Sequence, residues 1–369
     1  MNMGNKPIGL YLHIPFCRSK CPYCDFFSKR ADEAEYDSYT DLLCERIGLY
    51  AKRLGRRADT VYFGGGTPGL LGSERLCRLL FCAKESFDVC AGAEVTLEVN
   101  PERKNIDFDA LRRGGFNRVS IGLQSANDNE LRLLGRLHSA KNASDCIRQA
   151  QNAGFDNISL DLMIATPAQT MDSLKRSIDF CASHGAAHVS AYLLKIEPGT
   201  AYYRKKESLV LPDDDEQAEM YLYAVSLLKE YGYFQYEISN FARAGAESRH
   251  NLKYWHDEEY LGLGPAAHSF IDGRRRYFDR SFESFADDRS IDDGEGGSIE
   301  EYIMLGLRLS EGVSFMRFTE RFGCSVPEEY LSNAWKFIKA GYTEVTDEYM
   351  RLTQKGFLLS NALIGEILA

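Results

Sequence analysis

Three cysteines near the N-terminus have a spacing that is typical of an iron–sulfur site. Cys17, Cys21 and Cys24 form a CxxxCxxC pattern within one short polar run. Three thiolates on one loop can hold three irons of a [4Fe–4S] cube and leave the fourth iron for another ligand. Structural zinc is the alternative, but it needs a fourth Cys or His, and residues 25–28 supply none. The pattern therefore predicts a cluster with one open iron.

Further residues that could contact a ligand follow short apolar runs. A Gly-Gly-Gly-Thr-Pro sequence at residues 64–68 follows the second run, and its glycines allow backbone groups to approach a ligand closely. Glu98, Gln124 and Asp161 stand in or at the ends of the next three runs. Taken singly, each of these side chains is as readily a loop cap or a structural hydrogen-bonding group as a ligand contact.

The order of the apolar runs predicts an α/β fold. Strands are predicted at residues 8–14, 60–64, 94–99, 118–123, 157–163 and 188–194. Helical patterns lie between them at residues 34–53, 73–86, 107–113, 140–153 and 171–183. Such alternation is typical of right-handed βαβ crossovers in a parallel sheet, whose strand ends share one rim. Active sites of α/β barrels are built at that rim.

Composition restricts the classes of function. The 369 residues, 44% of them hydrophobic, predict about two domains with a large core. A net charge of −10 argues against nucleic acid as a partner, and no run reaches the ~18 apolar residues of a membrane span. Ten cysteines without an apolar leader indicate a reducing compartment, and so a cytoplasmic protein. The seven cysteines outside the loop are interpreted as small core residues.

The cysteine loop resembles that of the radical S-adenosylmethionine (SAM) family. That resemblance implies a partial (β/α)6 barrel, a [4Fe–4S] cluster whose open iron binds the amino and carboxylate groups of SAM, and radical chemistry at the cluster. It extends through segments beginning at Tyr236, His250, Gly262 and Leu305. In these segments the chain is similar to the coproporphyrinogen-oxidase-like branch of the family.

The branch resemblance implies roles for the residues at the rim. The glycine segment would meet the SAM amino group, and Arg136 would pair with the methionine carboxylate as a charge-assisted fork. Glu98, Gln124 and Asp161 would form hydrogen bonds with the ribose and methionine parts of SAM. One departure is Ile-Ala-Thr-Pro-Ala-Gln-Thr at residues 164–170, where the branch has Gly-Leu-Pro-Gly-Gln-Thr. The implied SAM contacts are Tyr11, Tyr23, Gly65, Gly66, Thr67, Glu98, Gln124, Arg136 and Asp161.

Within the branch, two features favour the heme chaperones over the oxygen-independent coproporphyrinogen III oxidases. The oxidases have a fourth cysteine at the position that Phe26 occupies here. They also carry a substantial N-terminal extension before the cluster loop, whereas only 16 residues precede Cys17 in this chain. The chaperones are thought to hold heme through an HNxxYW run, which here begins at His250. A packed domain junction with a hydrogen-bonded imidazole is the alternative for that run. His268 is a second candidate ligand, with a structural role as the simpler interpretation.

The C-terminal part changes character. We expect a barrel domain at residues 1–240, a connecting region at 241–297 and an accessory domain at 298–369. Residues 292–297 read as a flexible surface turn. Helical patterns at 300–309, 315–322, 328–340 and 355–367, with short segments at 342–346 and 350–352, resemble the winged-helix-like end of the family. The acidic balance argues against DNA binding there, so we expect this domain to cover the barrel mouth or dock a partner.

The resemblance implies a heme chaperone that passes heme to acceptor hemoproteins. The alternative is an oxidase whose deoxyadenosyl radical takes hydrogen from a porphyrinogen propionate, which then loses CO₂ and becomes a vinyl group. A radical enzyme acting on an unrelated small molecule is a third reading. The sequence leaves open whether the chain forms a homodimer and whether it contacts a membrane surface.

Overall fold

Six parallel strands, paired in chain order, form the centre of the molecule. The computed structural model describes residues 6–102 and 106–369. Each central strand pairs in parallel with the next one along the chain. These strands are β1 (Ile8–Ile14), β2 (Ala58–Gly65), β3 (Glu94–Val99), β4 (Arg118–Gln124), β5 (Asn157–Ile164) and β6 (His188–Leu193). The predicted strands agree with these bounds within two residues.

Helices cover the outer face of this sheet and enclose the core with it. Leu10, Leu12 and Ile14 of β1 are fully buried, as expected for a parallel strand covered by helices. The helix starts are specified locally: Asp32 and Glu35 form a capping box before the first helix. The covering helices are α1 (Glu33–Leu54), α2 (Gly72–Phe87), α3 (Phe108–Gly114), α4 (Asp128–Leu133), α5 (Ala140–Asn152) and α6 (Met171–Ser183).

The sheet continues beyond the six central strands on both sides. It contains 12 strands in the order β12-β11-β10-β9-β1-β2-β3-β4-β5-β6-β8-β7, so it is open within the described residues. Of the added strands, β9 runs parallel to β1, whereas β10, β11, β12, β8 and β7 pair in antiparallel fashion. The added elements are α7 (Ala201–Arg204), α8 (Asp214–Glu230), β7 (Phe234–Gln235), β8 (Asn240–Ala242), α9 (Arg249–Trp255), β9 (Tyr260–Leu263), β10 (His268–Ile271), β11 (Arg274–Phe278), α10 (Phe282–Ala286) and β12 (Ser290–Glu295).

The prediction of a flexible turn at residues 292–297 was wrong. Strand β12 is the edge of the sheet and pairs with β11, and Arg274 forms an ion pair at 2.7 Å with Asp292 across the two strands. Its side chains are mostly exposed and polar. An edge strand held by charge pairs has no apolar alternation, so the hydrophobic pattern gave no signal.

Helix α9 closes the sheet at the end opposite the cysteine loop. Ser248 caps the helix, and the first two backbone N–H groups, of Arg249 and His250, donate to the Glu94 carboxylate at 3.0 Å. Glu94 opens β3, so these bonds lie at the amino ends of the strands. A carboxylate at a helix N-terminus is stabilised both by these donors and by the helix dipole.

The C-terminal residues form a small three-stranded sheet with surrounding helices. Strand order is β13-β15-β14, and residues 343–352 make the predicted hairpin. The predicted helix at 328–340 ends earlier, at Trp335, and the last helix is split into two. The elements are α11 (Ile299–Gly306), β13 (Val313–Ser314), α12 (Phe315–Phe322), α13 (Glu328–Trp335), β14 (Thr343–Val345), β15 (Tyr349–Leu352), α14 (Gln354–Phe357) and α15 (Ser360–Leu368). The division into three domains stays a prediction.

The turn between β5 and α6 holds two alanines in a conformation that suits glycine. Ala165 and Ala168 have φ of 60° and 61°, at the positions where the branch pattern has its glycines. Gln169 supports the turn, since its side chain accepts from the Ala165 N–H at 2.6 Å and donates to the Met163 carbonyl at 2.9 Å. The turn therefore keeps its shape without glycine, at a cost in backbone strain.

We expect Ala168→Gly to stabilise the protein by up to about 1 kcal/mol, because glycine adopts positive φ without strain. Ala168 is exposed, so the change removes no core contact. The control is Ala218→Gly inside α8, which should destabilise by about 0.5–1 kcal/mol. Urea unfolding of both variants measures the difference, and a loss of stability in both would contradict the strain assigned to the turn.

Candidate iron–sulfur and cofactor site

The cysteine loop connects β1 to α1 and is held at its base by backbone pairing. The Cys17 N–H donates to the Lys29 carbonyl and the Lys29 N–H to the Pro15 carbonyl, both at 2.9 Å. Within the loop, the Cys24 N–H donates to the Cys21 carbonyl at 3.1 Å. The three cysteines are half-buried and not in disulfides. All three thiols therefore lie on one short, anchored segment at the carboxyl end of β1.

The three thiols of the loop are not placed to hold a single metal ion. Among residues 6–102 and 106–369, no group of three or more His, Cys, Asp or Glu side chains is placed to hold one ion. In an iron–sulfur cube each thiolate binds a different iron, so the sulfurs of a cluster loop need not converge on one point. The loop, with three thiols facing one cavity, fits a cluster of that kind.

A cavity of about 330 Å³ lies between this loop and the carboxyl ends of the central strands. It brings together eleven of the residues predicted from the sequence, from six separate chain segments. They are Cys17, Cys21, Cys24, Tyr23, Gly65, Gly66, Thr67, Glu98, Gln124, Arg136 and Asp161. Tyr11 and His250 do not line this cavity.

Arg136 is fixed at the base of the cavity beside the cysteine loop. Its Nη2 donates to Asn100 Oδ1 at 2.6 Å and to the Gly122 carbonyl at 3.0 Å, and its Nη1 lies 3.6 Å from Cys21 Sγ. The buried Nε has no hydrogen-bond partner in the described part of the chain. A guanidinium with one unused donor is able to bind an anionic ligand group.

Two buried carboxyl groups line the same cavity. Glu98 accepts from the Tyr62 hydroxyl at 2.7 Å and from the Gly65 N–H at 3.2 Å. Burial raises the pKa of Glu98 to about 7, with a further rise from the charge of Asp161. Burial also raises the pKa of Asp161, although the Ser120 hydroxyl, which donates to it at 3.0 Å, opposes the rise. A cationic ligand would favour the ionised form of both groups.

The glycine segment after β2 is required by close packing as well as by its place in the cavity. A Cβ on Gly66 would lie 2.6 Å from the Phe16 carbonyl oxygen, and a Cβ on Gly65, where φ is 107°, would lie 2.5 Å from the His13 ring. Thr67 follows, and its hydroxyl accepts from Asn100 Nδ2 at 2.9 Å and lies 3.4 Å from Cys17 Sγ. The segment thus joins the cysteine loop to β1 and β3.

Gln124 enters the cavity from a strained backbone position. It has φ of 65° at the end of β4, where a non-glycine residue is uncommon. Gly122, two residues earlier, leaves space for the Gln124 side chain. A Cβ on Gly122 would lie 3.0 Å from side-chain atoms of Arg136, Asn100 and Gln124. Backbone strain of this kind concentrates at ligand sites.

The sequence reasoning missed several residues of the cavity. Asn100 stands directly after β3 and holds both Arg136 and Thr67. Its position at a strand end was a usable signal. Ser120, Met163 and Tyr192 also line the cavity from inside β4, β5 and β6, and only the register of the sheet shows which strand residues face it.

A second cavity, of about 560 Å³, lies on the other side of the cysteine loop. Tyr11 lines this cavity, together with aromatic residues of the loop and of β9 to β11. Phe26 is 68% exposed and lines both cavities. The two cavities are therefore neighbours that share one aromatic ring.

His250 lines neither cavity. Its ring is buried, with Nδ1 hydrogen-bonded to the Thr60 hydroxyl and Nε2 to the Tyr254 hydroxyl, both at 2.7 Å. It also stacks on the Tyr62 ring at 5.2 Å between centroids. Burial lowers the pKa of His250 to about 3, helped by the charge of Lys253. The ring could ligate iron only after both hydrogen bonds had broken.

Comparison with known proteins agrees with this geometry. The Radical SAM superfamily model matches residues 11–181, and the HemN C-terminal domain model matches residues 298–359. The protein named heme chaperone HemW of Bacillus subtilis is 37% identical over 97% of this chain and 98% of its own. The HemW of Escherichia coli is 34% identical over 98% of both.

A solved structure gives the same fold. The E. coli coproporphyrinogen III oxidase HemN, described as a radical SAM enzyme, superposes with a TM-score of 0.83 over 99% of this chain and 90% of its own, at 22% identity. At that identity the likeness establishes the architecture. The matches over nearly the full chain show that it belongs to the HemW family of the radical SAM superfamily.

Proposed function

We propose that this protein is a [4Fe–4S] protein of the radical SAM type that binds heme and passes it to acceptor hemoproteins. The observation that carries the proposal is the aromatic cavity of about 560 Å³. It lies beside the smaller cavity lined by the three cysteines, here called the cofactor cavity. The size of the aromatic cavity is that of a site for one flat organic ligand, and its aromatic walls suit a macrocycle. The relatives matched over nearly the full chain are named heme chaperones, which supports heme as that ligand.

The smaller cavity is proposed to hold the cluster and SAM. The cysteine loop would ligate three irons, Arg136 would bind the methionine carboxylate through its unused Nε, and Glu98 and Asp161 would face the cationic and hydroxyl groups of SAM. Bound there, the two cofactors supply one-electron chemistry. The chain's own residues orient SAM and exclude water, since the acidic groups are buried.

Oxidative decarboxylation of a porphyrinogen is the second candidate function. The HemN-like architecture over 99% of the chain favours it, and the SAM cavity would serve either role. The two functions differ in whether the tetrapyrrole is cargo or substrate. The presence of an aromatic cavity distinct from the cysteine-lined one favours cargo.

The remaining features of the proposal concern place and partners. The described part of the chain has no helix that is both long and apolar enough to cross a membrane. All ten cysteines are free, which supports a reducing compartment, the cytoplasm. Acceptor hemoproteins are the proposed partners, reached in solution or at a membrane surface. His250 stays a predicted heme ligand, a role that would require its ring hydrogen bonds to Thr60 and Tyr254 to break.

Replacing Cys17, Cys21 and Cys24 by Ala should abolish cluster assembly. Anaerobically reconstituted variant protein should lose its brown colour, its iron and its sulfide, because no thiolate remains on the loop to hold iron. Iron and sulfide analysis with visible spectroscopy measures this. Retention of about four irons per chain would refute the ligand assignment.

The matched control replaces three half-buried thiols outside the loop, Cys44, Cys77 and Cys90, by Ala. The control protein should keep its full content of iron and sulfide. Loss of iron in the control as well would mean that the effect is one of folding.

Arg136→Ala should weaken SAM binding by ~1.5–3 kcal/mol, the range for a hydrogen bond to a charged group. Arg136→Lys should bind SAM nearly as weakly, because an ammonium group cannot bond Asn100 and the Gly122 carbonyl in this geometry and also present an N–H to the ligand. Equilibrium dialysis with the cluster intact measures the affinity. Arg132→Ala is the control, since Arg132 is exposed on α4 and bonds Asn129. Unchanged SAM affinity in Arg136→Ala, with normal iron content, would remove Arg136 from the site.

The proposed function is tested by loading the reconstituted protein with hemin. Near one heme per chain should be retained on gel filtration, read from the Soret band, and should then appear in an added apo-hemoprotein. The second function predicts instead that coproporphyrinogen III is decarboxylated when SAM and a reductant are supplied. Turnover of porphyrinogen without heme retention would replace the proposed function by the second one.

A further inference from the structure

The larger cavity is built mainly of aromatic side chains. Its walls come from the cysteine loop, from α9 and from the β9 to β11 strands: Phe26, Phe27, Tyr254, Tyr260, Tyr277 and Phe278. Arg280, Asp25 and Asp279 add one cation and two carboxylates, and Tyr11, His13, Ala266 and His268 complete the lining. A mainly apolar cavity with a few polar groups suits a porphyrin, which has a flat apolar ring and two propionates.

The seven histidines of the chain differ in whether a ring nitrogen is available. Six of them have at least one ring nitrogen in a hydrogen bond: His13, His138, His184, His188, His250 and His256. The ring of His268 has no hydrogen-bond partner among the described residues, and it lines the larger cavity. Two of the described histidines, His13 and His268, line this cavity. Both ring nitrogens of His13 are hydrogen-bonded, to the Tyr11 hydroxyl and the Phe27 carbonyl, so His268 is the one that offers iron a ring nitrogen with a free lone pair.

His268 is also held in a fixed orientation. It begins β10, is exposed at the cavity, and pairs across the strands with Tyr277. The two rings stack at 5.1 Å with an angle of 20° between their planes. Burial lowers the pKa of His268, opposed by the charge of Asp293 and helped by that of Arg275, which favours the neutral imidazole. Neutral imidazole is the form that ligates heme iron.

We propose that heme binds in this cavity with a ring nitrogen of His268 as the axial ligand of its iron, and with a propionate at Arg280. The proposal rests on the proposed function, since it names the site at which that function holds heme. Arg280 Nη2 lies 3.1 Å from Asp25 Oδ2, and both groups are about half exposed. A heme propionate would replace Asp25 as the partner of Arg280.

This assignment gives the HNxxYW segment a different role. Tyr254, its tyrosine, is part of the cavity wall, and the His250 ring bonds the Tyr254 hydroxyl at 2.7 Å. His250 is thus a positioning residue for one wall of the heme cavity. With one protein ligand on the iron and the cavity open to solvent, the second axial position stays accessible to a ligand from an acceptor protein.

The test is hemin titration of the full-length, cluster-loaded protein as wild type and as His268→Ala. We expect heme affinity to fall at least about tenfold in His268→Ala, and the Soret band of the remaining complex to shift with loss of the imidazole ligand. Added imidazole should restore the wild-type spectrum. Arg280→Ala should weaken binding without changing the spectrum.

The control is His184→Ala, because His184 lies at the end of α6 with its ring bonded to the Phe180 carbonyl and to Ser144. It should keep wild-type affinity and spectrum. Wild-type affinity and an unshifted Soret band in His268→Ala would overturn the assignment while the proposed function stands. Loss of the Soret band in His250→Ala, with rescue by imidazole, would do the same and return the ligand to α9. Failure of the wild type to bind heme would overturn the proposed function itself.

Discussion

The structure depends on the position of β1 between two parallel neighbours. On one side β1 pairs with β2 along its whole length, from Ile8 to Ile14, and on the other it pairs with β9. The cysteine loop follows the carboxyl end of β1, so it lies between the segments that follow β2 and β9. β2 leads into the glycine segment of the cofactor cavity, and β9 leads toward His268 and the aromatic cavity. One strand pairing therefore places both cavities against the same loop.

Close approach at the end of β1 makes this pairing possible. Gly66 and Gly264 both pack against the β1 backbone: a Cβ on Gly66 would lie 2.8 Å from the Ile14 carbonyl oxygen, and one on Gly264 the same distance from that of His13. The backbone of the two neighbouring segments can thus meet β1 only where no side chain intervenes. Gly66, which the sequence predicts to contact a ligand, is thus also required by the packing of the sheet.

Much of the fold and the cofactor site could be predicted from the sequence, because both follow from the parallel register. The six central strands have β-branched and aromatic runs, and the polar residues at their ends share one rim in any such sheet. Asn100 could have been found from its place directly after β3, whereas Tyr192 could not, since which strand residues face inward depends on register and curvature. The edge strand β12 was missed for another reason: it is exposed and polar, and Arg274 on β11 pairs with its Asp292, so it has no hydrophobic period.

The interpretation of His250 shows a limit of motif reasoning. A His-Asn pair followed by Tyr and Trp is compatible both with iron ligation and with a packed junction, and local sequence cannot separate them. The difference lies in distant partners: Thr60 on β2 occupies one ring nitrogen, and Glu94 on β3 holds the backbone N–H of the same residue. Those partners are 190 and 156 residues away in the chain. Only the fold brings them to the motif.

The separation of the two cavities bears on whether the tetrapyrrole is substrate or cargo. Hydrogen abstraction requires reacting atoms about 3–3.5 Å apart, so a substrate must share a cavity with SAM. The cofactor cavity, at about 330 Å³, lies at the lower end of the range for one small ligand. The Phe26 ring lines both cavities. At the same position, the oxidases of the branch have a fourth cysteine. A macrocycle bound in the aromatic cavity would lie in a different cavity from SAM, which suits the proposed transfer of heme to another protein.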